Sequence, residues 1–441
     1  MRSPLLSATL ALACAVVASA AHAALDIEHW TTKNGARVYF VAAPEIPIVD
    51  VRFVFNAGSA RDGDTPGVAR LVGQLLTEGA GDWDANEFHD RLADTGAEFS
   101  SGALRDMAWV ALRSLSDPQY LEPSLELMGE VLARPRFDDD AVARNKANAL
   151  VHIKREQQSP SAVADKAFYR AVYRDHPYAS PLSGTEASVT AIERADIVGF
   201  HQRFYVARNA TVAIVGDLSR DAAAAIAERL SAGMKAGAAP PALTPVAALG
   251  TAQEHRVEFP SIQSHVLIGQ PGLKRGDADY FPLLVGNHVL GGGGLVSILF
   301  DEVREKRGLS YSVNSHFSPM SELGPFTASL QTDNSQQDEA VAVLRDQLRK
   351  FVAEGPTPAA LEAAKQNLIG GFPLRIDSNS KIVEYLSMIG FYDLPLDYLN
   401  TFAEHVAGVT VENVRSAFKR RLDPAKMVTV IVGRAATPTD G

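Results

Sequence analysis

The chain has 441 residues, of which 46% are hydrophobic and 21% charged, and it carries 42 Lys and Arg against 52 Asp and Glu. This is the composition of a globular protein, and it excludes intrinsic disorder and collagen-like repeats. At roughly 100 to 200 residues per domain, the length predicts about two to four domains that have enough apolar material for buried cores without disulfides.

The first 23 residues have the pattern of a secretory leader. A single charge, Arg2, precedes an apolar run from Leu5 to Ala20, and Ala21-His22-Ala23 offers a small-x-small cleavage site. A mitochondrial presequence would be amphipathic and rich in arginine instead. We therefore expect secretion, with the periplasm as the location of the mature chain.

Removal of this leader changes the thiol content and charge of the mature chain. Cys14, the only cysteine, would leave with the leader. The remaining 41 basic and 52 acidic side chains give a net charge of −11, which disfavours binding to nucleic acid or to an anionic membrane. No later stretch reaches the roughly 18 apolar residues of a spanning helix, so we expect no membrane insertion of the mature chain.

Strand and helix patterns follow one another in the same order twice along the chain. Strands are expected at Val38–Ala43 and Ile48–Phe55. Four helical patterns follow these strands: Val68–Leu76, Glu87–Leu92, Tyr120–Leu132 and Asp140–Ile153. Residues 233–250, rich in Ala, Gly and Pro, read as a linker. After it the order recurs, with a strand near Gln263–Ile268 and a helix from Phe281.

An internal repeat supports this division into two halves. Arg194–Gly216 and Val411–Gly433 align without a gap, and each predicts a helix followed by a strand that ends in Ile-Val-Gly. Chance similarity of two amphipathic segments is the alternative, but their equal position at the end of each half favours duplication. We predict an α+β protein with two homologous α/β-sandwich halves, 24–232 and 251–441, each a mainly antiparallel sheet covered by helices.

Three segments carry motifs that bear on function. The first runs from Gly58-Ser59 through Gln74, the second from His176-Pro177-Tyr178 to Thr185, and the third from Gly291–Gly294 into Arg304–Tyr311. In this order and spacing they resemble the zinc-motif region, the His-Pro segment and the second-half signature of the pitrilysin-like (insulinase-type) zinc metallopeptidases. The resemblance covers nearly the whole mature chain.

The zinc motif of that family is degenerate in this sequence. An inverted zinc site needs two imidazoles at i and i+4 on one helical face, a carboxylate at i+3 to activate water, and a third ligand from elsewhere. Arg70, Gly73 and Gln74 stand in the three helical positions. The resemblance places the third ligand at His152 and an auxiliary glutamate at Asn145. One imidazole does not hold zinc, and a guanidinium repels a cation. We therefore expect no metal in this chain.

The second-half signature keeps the family pattern. By themselves, Arg304-Glu305-Lys306-Arg307 is typical of a solvated helix end that stops at Gly308, and Tyr311 is typical of strand packing. The resemblance implies instead that Arg304 and Tyr311 face a zinc site across a chamber, bind the peptide backbone and stabilise the oxyanion, a role that suits a fixed cation and a phenol.

The glycine run is the remaining motif. Gly291, Gly292 and Gly293 belong, by the same resemblance, to the substrate side of the chamber. A phosphate cradle is the alternative, and it fails because Leu295-Val296 replaces the required Lys-Ser/Thr.

These observations predict a non-catalytic subunit of a secreted heteromeric zinc metallopeptidase. It would supply Arg304 and Tyr311 to a homologous, zinc-bearing partner, and the substrate would be an unfolded peptide held partly by strand addition to a sheet edge. One alternative is an inactive peptide-binding or scaffold protein that resembles the core subunits of respiratory complexes. A self-sufficient peptidase with an unrecognised site is a second alternative, although no other metal or nucleophile constellation is visible.

Overall fold

The computed structural model describes residues 25–434, so the predicted leader with its cleavage site and Cys14 lies outside the described residues. Two sheets and the helices around them make up this part of the chain. The strands are β1 Glu28–Thr31, β2 Arg37–Ala42, β3 Ile48–Phe55, β4 Glu98–Ala103, β5 Ala108–Leu115, β6 Ala210–Gly216, β7 Gln253–Glu258, β8 Gln263–Leu273, β9 Ser312–Phe317, β10 Gly324–Asp333 and β11 Val428–Gly433.

The α-helices are α1 Val68–Leu75, α2 Ala85–Thr95, α3 Pro118–Ala133, α4 Asp139–Gln157, α5 Pro160–Tyr173, α6 Glu186–Ala191, α7 Arg194–Phe204, α8 Arg220–Ala232, α9 Tyr280–Asn287, α10 Gln337–Glu354, α11 Pro358–Gly371, α12 Asn379–Phe391, α13 Tyr398–Ala407 and α14 Val411–Arg421. Two short π-helical segments, His288–Gly292 and Phe300–Glu305, belong to the second half. Within residues 25–434, none of the helices combines the length and the apolar character that crossing a bilayer requires.

Apart from the additional edge strand β1, the two sheets share one topology. The first has the strand order β1-β2-β6-β3-β5-β4 and the second β7-β11-β8-β10-β9. Each contains one parallel pair, β2 with β6 and β7 with β11, and its other pairs are antiparallel. The predicted α+β class with two related halves, each a mainly antiparallel sheet covered by helices, is confirmed.

The aligned repeat occupies equivalent places in the two halves. In each half the aligned segment forms a helix, α7 or α14, followed by a strand, β6 or β11. Both strands are buried along their whole length, because helices cover both faces of each sheet at this point. Continuous β-branched runs such as those of β6 and β11 are typical of strands that are buried on both faces.

Helix starts differ from the predicted bounds where a cap was overlooked. The helix expected from Glu87 begins at Ala85, since Asp84 caps it through the backbone N–H groups of Asn86 and Glu87. The Glu87 carboxylate accepts the backbone N–H of Asp84 in return, which completes a capping box. The Asp-x-x-Glu spacing in the sequence therefore indicates that the helix begins directly after Asp84.

One helix of each half packs against the sheet of the other half. Helix α5, from the first half, lies on β8 and β11 of the second sheet, where Phe168 is 1% exposed and its Cζ would lie 2.8 Å from a Cβ at Gly269. Helix α12, from the second half, lies on β2, β3 and β6. There Gly390 lets the helix approach Tyr39 and Thr211 closely, because a Cβ at Gly390 would lie 2.4 Å from the Tyr39 ring. The two sheets thus share their apolar cores.

A buried polar cluster also joins the halves. Asp106, in the β4–β5 turn, accepts the hydroxyl of Tyr178 at 2.5 Å through Oδ1 and the hydroxyl of Tyr392 at 3.0 Å through Oδ2. Its Oδ2 also accepts the backbone N–H of Ser321, and the backbone N–H of Glu322 donates to Tyr178 Oη. Asp106 is 4% exposed. Burial and the neighbouring Asp106 raise the pKa of Tyr178, so its hydroxyl stays protonated as a donor.

Residues 235–250, within the predicted linker, form no helix or strand, yet they contact the first half. The Arg61 guanidinium donates to the carbonyl of Pro241, and His176 Nε2 lies 2.8 Å from the carbonyl oxygen of Thr244. Val246 and Leu249 are buried among α5 and the second sheet. This segment is therefore fixed along the seam between the halves, and the domain bounds 24–232 and 251–441 stay a prediction.

Candidate functional site: a closed zinc-motif helix and an exposed arginine–tyrosine pair

Helix α1 carries the degenerate zinc motif, and a buried carboxylate holds its start. Asp62 accepts the backbone N–H groups of Gly67, at 2.7 Å, and Ala69, at 3.0 Å. Burial raises the pKa of Asp62 to about 7, although these two hydrogen bonds oppose the shift. Gly67 has φ +98° and lies against Gly184 of the second motif segment, so a side chain at Gly67 would be strained. The first two motif segments are therefore one packed unit.

Gly73, at the position of the general base, is closed against the edge strand. A Cβ at Gly73 would lie 2.9 Å from the Cα of Gly102 in β4, closer than real Cβ contacts come. The Ser101 hydroxyl donates to the carbonyl of Gly73 at 2.7 Å, which fixes this approach. Gln74, at the second histidine position, is exposed. Strand β4 thus occupies the space that the side chain of a water-activating carboxylate at position 73 would need.

Arg70, at the first histidine position, is tied into a chain of hydrogen bonds. Its Nη1 donates to Ser183 Oγ at 2.8 Å, and Ser183 Oγ donates to Glu156 Oε1 at 2.8 Å. The same Glu156 oxygen lies 3.1 Å from His152 Nε2, and Lys166 Nζ donates to Glu156 Oε2 at 2.8 Å. The structure therefore links Arg70 with His152, the two positions that the resemblance assigns to the motif and the third ligand, but through a serine and a glutamate.

Glu156 is a residue in this series of hydrogen bonds that was not predicted from the sequence. Burial alone would raise its pKa, but hydrogen bonds from Lys166 and Ser183 outweigh burial and hold the pKa below its ordinary value. The signal was the i, i+4 spacing from His152 within α4, which places both side chains on one helical face. Asn145, the expected auxiliary position, instead donates to Glu78 Oε1 at 3.1 Å and to the carbonyl of Ala141.

The ligand chemistry of this region does not fit a zinc ion. Both Glu156 oxygens already accept cationic or hydroxyl donors, and a guanidinium occupies the place of an imidazole. Across residues 25–434, His, Cys, Asp and Glu form no cluster of three or more that could hold a metal ion. The hydrogen bonds of this arrangement instead hold the Arg70 guanidinium in one position.

The second-half signature forms an exposed cation–aromatic pair. The Arg304 guanidinium carbon lies 4.6 Å from the ring centroid of Tyr311 and 4.7 Å from that of Phe300. Tyr311 is 78% exposed, whereas the side chain of Arg304 is 32% exposed. The π-helical segment that carries Arg304 is followed by Gly308, with φ +63°, as expected of a left-handed helix end. The structure thus brings Arg304 and Tyr311 together and presents both to solvent.

The glycine run lies beside this pair in the chain and borders a cavity of about 410 Å³. Gly291 is buried, and a Cβ there would lie 2.5 Å from Ser315 Oγ in β9, so the run approaches the edge strand closely. Gly294 has φ +61°, and Leu295 and Val296 after it are 71% and 83% exposed. The glycine run therefore allows a close backbone approach and then turns apolar side chains outward.

The zinc-motif residues and the arginine–tyrosine pair are two separate groups within this chain. Arg70 bonds to Ser183, whereas Arg304 contacts Phe300, Glu305 and Tyr311. No hydrogen bond, ion pair or ring contact connects the two groups within residues 25–434. Arg304 and Tyr311 therefore make no direct contact with the zinc-motif residues of α1 within residues 25–434.

Comparisons with known proteins agree with this two-half arrangement. The model of the insulinase family, peptidase family M16, matches residues 37–186, and the model of the peptidase M16 inactive domain matches residues 191–368. A Mycobacterium leprae protein described as an uncharacterized zinc protease is 27% identical over 88% of this chain and 87% of its own length. A Bacillus subtilis protein with the same description is 22% identical over 81% of this chain and 86% of its own.

Solved structures extend the comparison to the whole fold. The crystal structure of a peptidase M16 inactive domain from Pseudomonas fluorescens is 39% identical, covers 94% of this chain and 100% of its own, and superposes with a TM-score of 0.90. A protease from Helicobacter pylori superposes with a TM-score of 0.84 at 20% identity, over 92% of this chain and 99% of its own. The latter likeness concerns the fold alone.

Proposed function

The chain belongs to peptidase family M16, the insulinase family, and from this premise we propose that it is the non-catalytic subunit of a secreted, two-chain zinc peptidase. Its substrate is an unfolded peptide, and its partner is a homologous M16 chain with an intact zinc motif. The partner supplies zinc and the general base, and this chain supplies Arg304 and Tyr311.

The state of helix α1 carries the proposal. A catalytic M16 chain must hold a cation where this chain already holds the Arg70 guanidinium, and it needs a carboxylate where Gly73 touches Gly102. Like charges at this spacing repel: a divalent ion about 4 Å from a guanidinium would face roughly 8 kcal/mol at an effective dielectric constant near 20. A zinc ion bound elsewhere is therefore needed for hydrolysis.

The exposed pair supports the substrate role. A partly buried arginine that stacks on an exposed tyrosine is held in one orientation, and a preorganised cation and phenol stabilise an oxyanion without reorganising. Tyr311 immediately precedes β9, which within residues 25–434 pairs with β10 alone and so ends its sheet. A peptide added to the free edge of β9 would place its backbone next to Arg304 and Tyr311.

Reconstitution tests this function. The secreted chain is purified alone, the zinc-bearing homologue is purified alone, and hydrolysis of a quenched fluorescent peptide is measured for each chain and for the mixture. We expect activity in the mixture well above the sum of the two chains, and loss of that activity with a zinc chelator. A scaffold protein would bind the partner or the peptide without raising turnover, and a self-sufficient peptidase would cleave the peptide without the partner.

A further inference from the structure

Arg275, between β8 and α9, is a partly buried cation, and its side chain has no anionic partner within residues 25–434. Its Nε is shielded from solvent and has no hydrogen-bond acceptor, and within residues 25–434 its guanidinium forms no ion pair. The rings of Tyr280 and Tyr392 flank it, with centroids 5.8 and 5.7 Å from the guanidinium carbon. A shielded donor normally has an acceptor, so an anion that arrives from outside the chain would supply the partner that this nitrogen lacks.

The backbone holds this arginine in place. The N–H of Arg275 donates to the carbonyl of Met320 at 2.8 Å, and the preceding residue, Lys274, forms a β-bridge with Met320. Leu273, the last residue of β8, is fully buried. The backbone of Arg275 is therefore fixed before any ligand binds, and the rings of Tyr280 and Tyr392 restrict its side chain, which lowers the entropic cost of binding.

Two cavities meet at Arg275, and their charges differ. The first is the cavity of about 410 Å³ beside the glycine run, and none of the described residues that line it is Asp or Glu. The second, of about 260 Å³, is lined by the carboxylates of Asp277 and Asp397. An anion is disfavoured beside these carboxylates, so it should reach Arg275 through the glycine-run cavity.

The walls of the glycine-run cavity indicate the rest of the ligand. Leu273, Leu283, Leu284 and Phe317 contribute apolar surface, and among the lining residues that the structure describes Arg275 is the only Lys or Arg. Burial lowers the pKa of His316, the other basic group there, although Asp165 opposes the shift, so the imidazole stays neutral. A phosphate would favour several cations, whereas one guanidinium in apolar surroundings suits a single carboxylate that carries an apolar substituent.

We propose that Arg275 and the glycine-run cavity bind the terminal carboxylate of a peptide whose last side chain is apolar. The volume is within the range of about 300 to 1,000 Å³ that is usual for ligand cavities and accommodates one large apolar residue. This proposal rests on the proposed function, since it names the end of the substrate that this chain holds. A free apolar carboxylic acid has the same chemistry and is the other source of such a ligand.

Binding of matched peptides to the purified chain, without any partner, tests this proposal. A short fluorescent peptide that ends in Phe is used with a free carboxylate and with a terminal amide, and 3-phenylpropionate is the free acid. We expect the acid peptide to bind the wild-type chain at least tenfold more tightly than the amide. Arg275→Gln should bind both peptides equally, at the affinity of the amide. Arg349→Gln, which removes an exposed guanidinium on α10, should retain the preference.

Each other result contradicts a part of the proposal. Equal binding of acid and amide by the wild-type chain would overturn it, and this comparison does not depend on any variant folding. A preference that survives in Arg275→Gln, shown by circular dichroism to be folded, would remove Arg275 from the site. Competition by 3-phenylpropionate without discrimination between the peptides would assign the cavity to free acids instead of chain ends. Failure of the reconstituted peptidase alone would leave these binding results intact, so the two proposals fail separately.

Discussion

The surroundings of Gly73 determine whether a side chain could be restored at the general-base position of the zinc motif. Because a Cβ at Gly73 would meet the backbone of Gly102, even alanine should push α1 away from β4. Overpacking of this kind costs about 1–3 kcal/mol. We therefore predict that Gly73→Ala lowers the free energy of unfolding by that amount, as measured by urea denaturation.

Gly199 provides the matched control for this change. It lies within α7 at an exposed position, and a Cβ there would meet nothing within 4 Å. Alanine at an open helical position stabilises by roughly 0.5–1 kcal/mol. If Gly73→Ala were as well tolerated as Gly199→Ala, the contact between α1 and β4 would not close the base position.

His201 predicts how the stability of the chain depends on pH. Burial, with Lys235 nearby, lowers the pKa of His201 to about 4 in the folded chain, although a backbone hydrogen bond to Leu132 opposes the shift. Its ring stacks on Tyr205 at 4.9 Å, and its Nε2 has no hydrogen-bond partner in the part of the chain that the structure describes. The unfolded chain has an ordinary histidine pKa near 6.5 and binds the proton first, so stability is lost as the pH falls from about 6.5 to about 4.

This effect can be isolated by substitution. We predict that the unfolding free energy of His201→Phe, measured in urea between pH 4.5 and 7.5, falls less steeply on acidification than that of the wild type. The two curves should diverge by up to about 3 kcal/mol, since one pKa unit corresponds to about 1.4 kcal/mol. Parallel curves would mean that His201 titrates alike in the folded and unfolded chains.

At the scale of elements, the exchanged helices α5 and α12 make the two halves one folding unit. The apolar cluster of the second half includes Tyr39 and Val41 of β2 as well as Ile382 and Leu386 of α12. An apolar core that continues across the seam should unfold in one cooperative transition.

The positions of the tryptophans allow a direct test of this cooperativity. All three, Trp30, Trp83 and Trp109, lie in the first half, so their fluorescence reports that half alone. Leu344 is fully buried in α10 of the second half. We predict that Leu344→Ala costs about 2–5 kcal/mol and shifts the urea midpoint measured by tryptophan fluorescence as much as that measured by circular dichroism.

The exposed Lys350 of the same helix is the control, and Lys350→Ala should shift neither midpoint by more than about 0.5 kcal/mol in free energy. A fluorescence midpoint that stays at the wild-type value in Leu344→Ala would show that the halves unfold independently.

The sequence allowed the element order, the two-half class and the repeat to be predicted, because these depend on local periodicity and on the spacing of motifs. The exchange of α5 and α12 could not be predicted, since an amphipathic pattern shows which face of a helix is buried but not which sheet covers it. For the same reason the link from Arg70 through Ser183 to Glu156 was missed, as its members are distant in the sequence. Arg275 carries no motif at all, and only its lack of a partner in the fold marks it.

At the scale of the whole molecule, the partly buried Arg304 and the exposed Tyr311 both reach solvent, and we propose that they act at the zinc site of the partner chain. We predict that Arg304→Ala lowers kcat/KM of the reconstituted pair roughly 100-fold, because removal of one oxyanion donor has a cost of this order. Tyr311→Phe should lower turnover in the same direction while the two chains still assemble. Peptide hydrolysis with gel filtration of the pair measures both effects.

Arg307→Ala is the matched control for these variants. Arg307 lies three residues after Arg304, and its guanidinium donates to the carbonyl and the carboxylate of Glu302. Unchanged rates for Arg304→Ala and Tyr311→Phe, or an equal loss with Arg307→Ala, would remove the specific role of the pair.

The zinc content of the assembled complex tests the central claim most directly. Elemental analysis of the purified pair should give one zinc ion per two chains, and His152→Ala or Arg70→Ala in this chain should leave that ratio at one. Substitution of a zinc-motif histidine in the partner should reduce it to zero. Two zinc ions per pair, or loss of zinc on substitution of His152, would contradict the account.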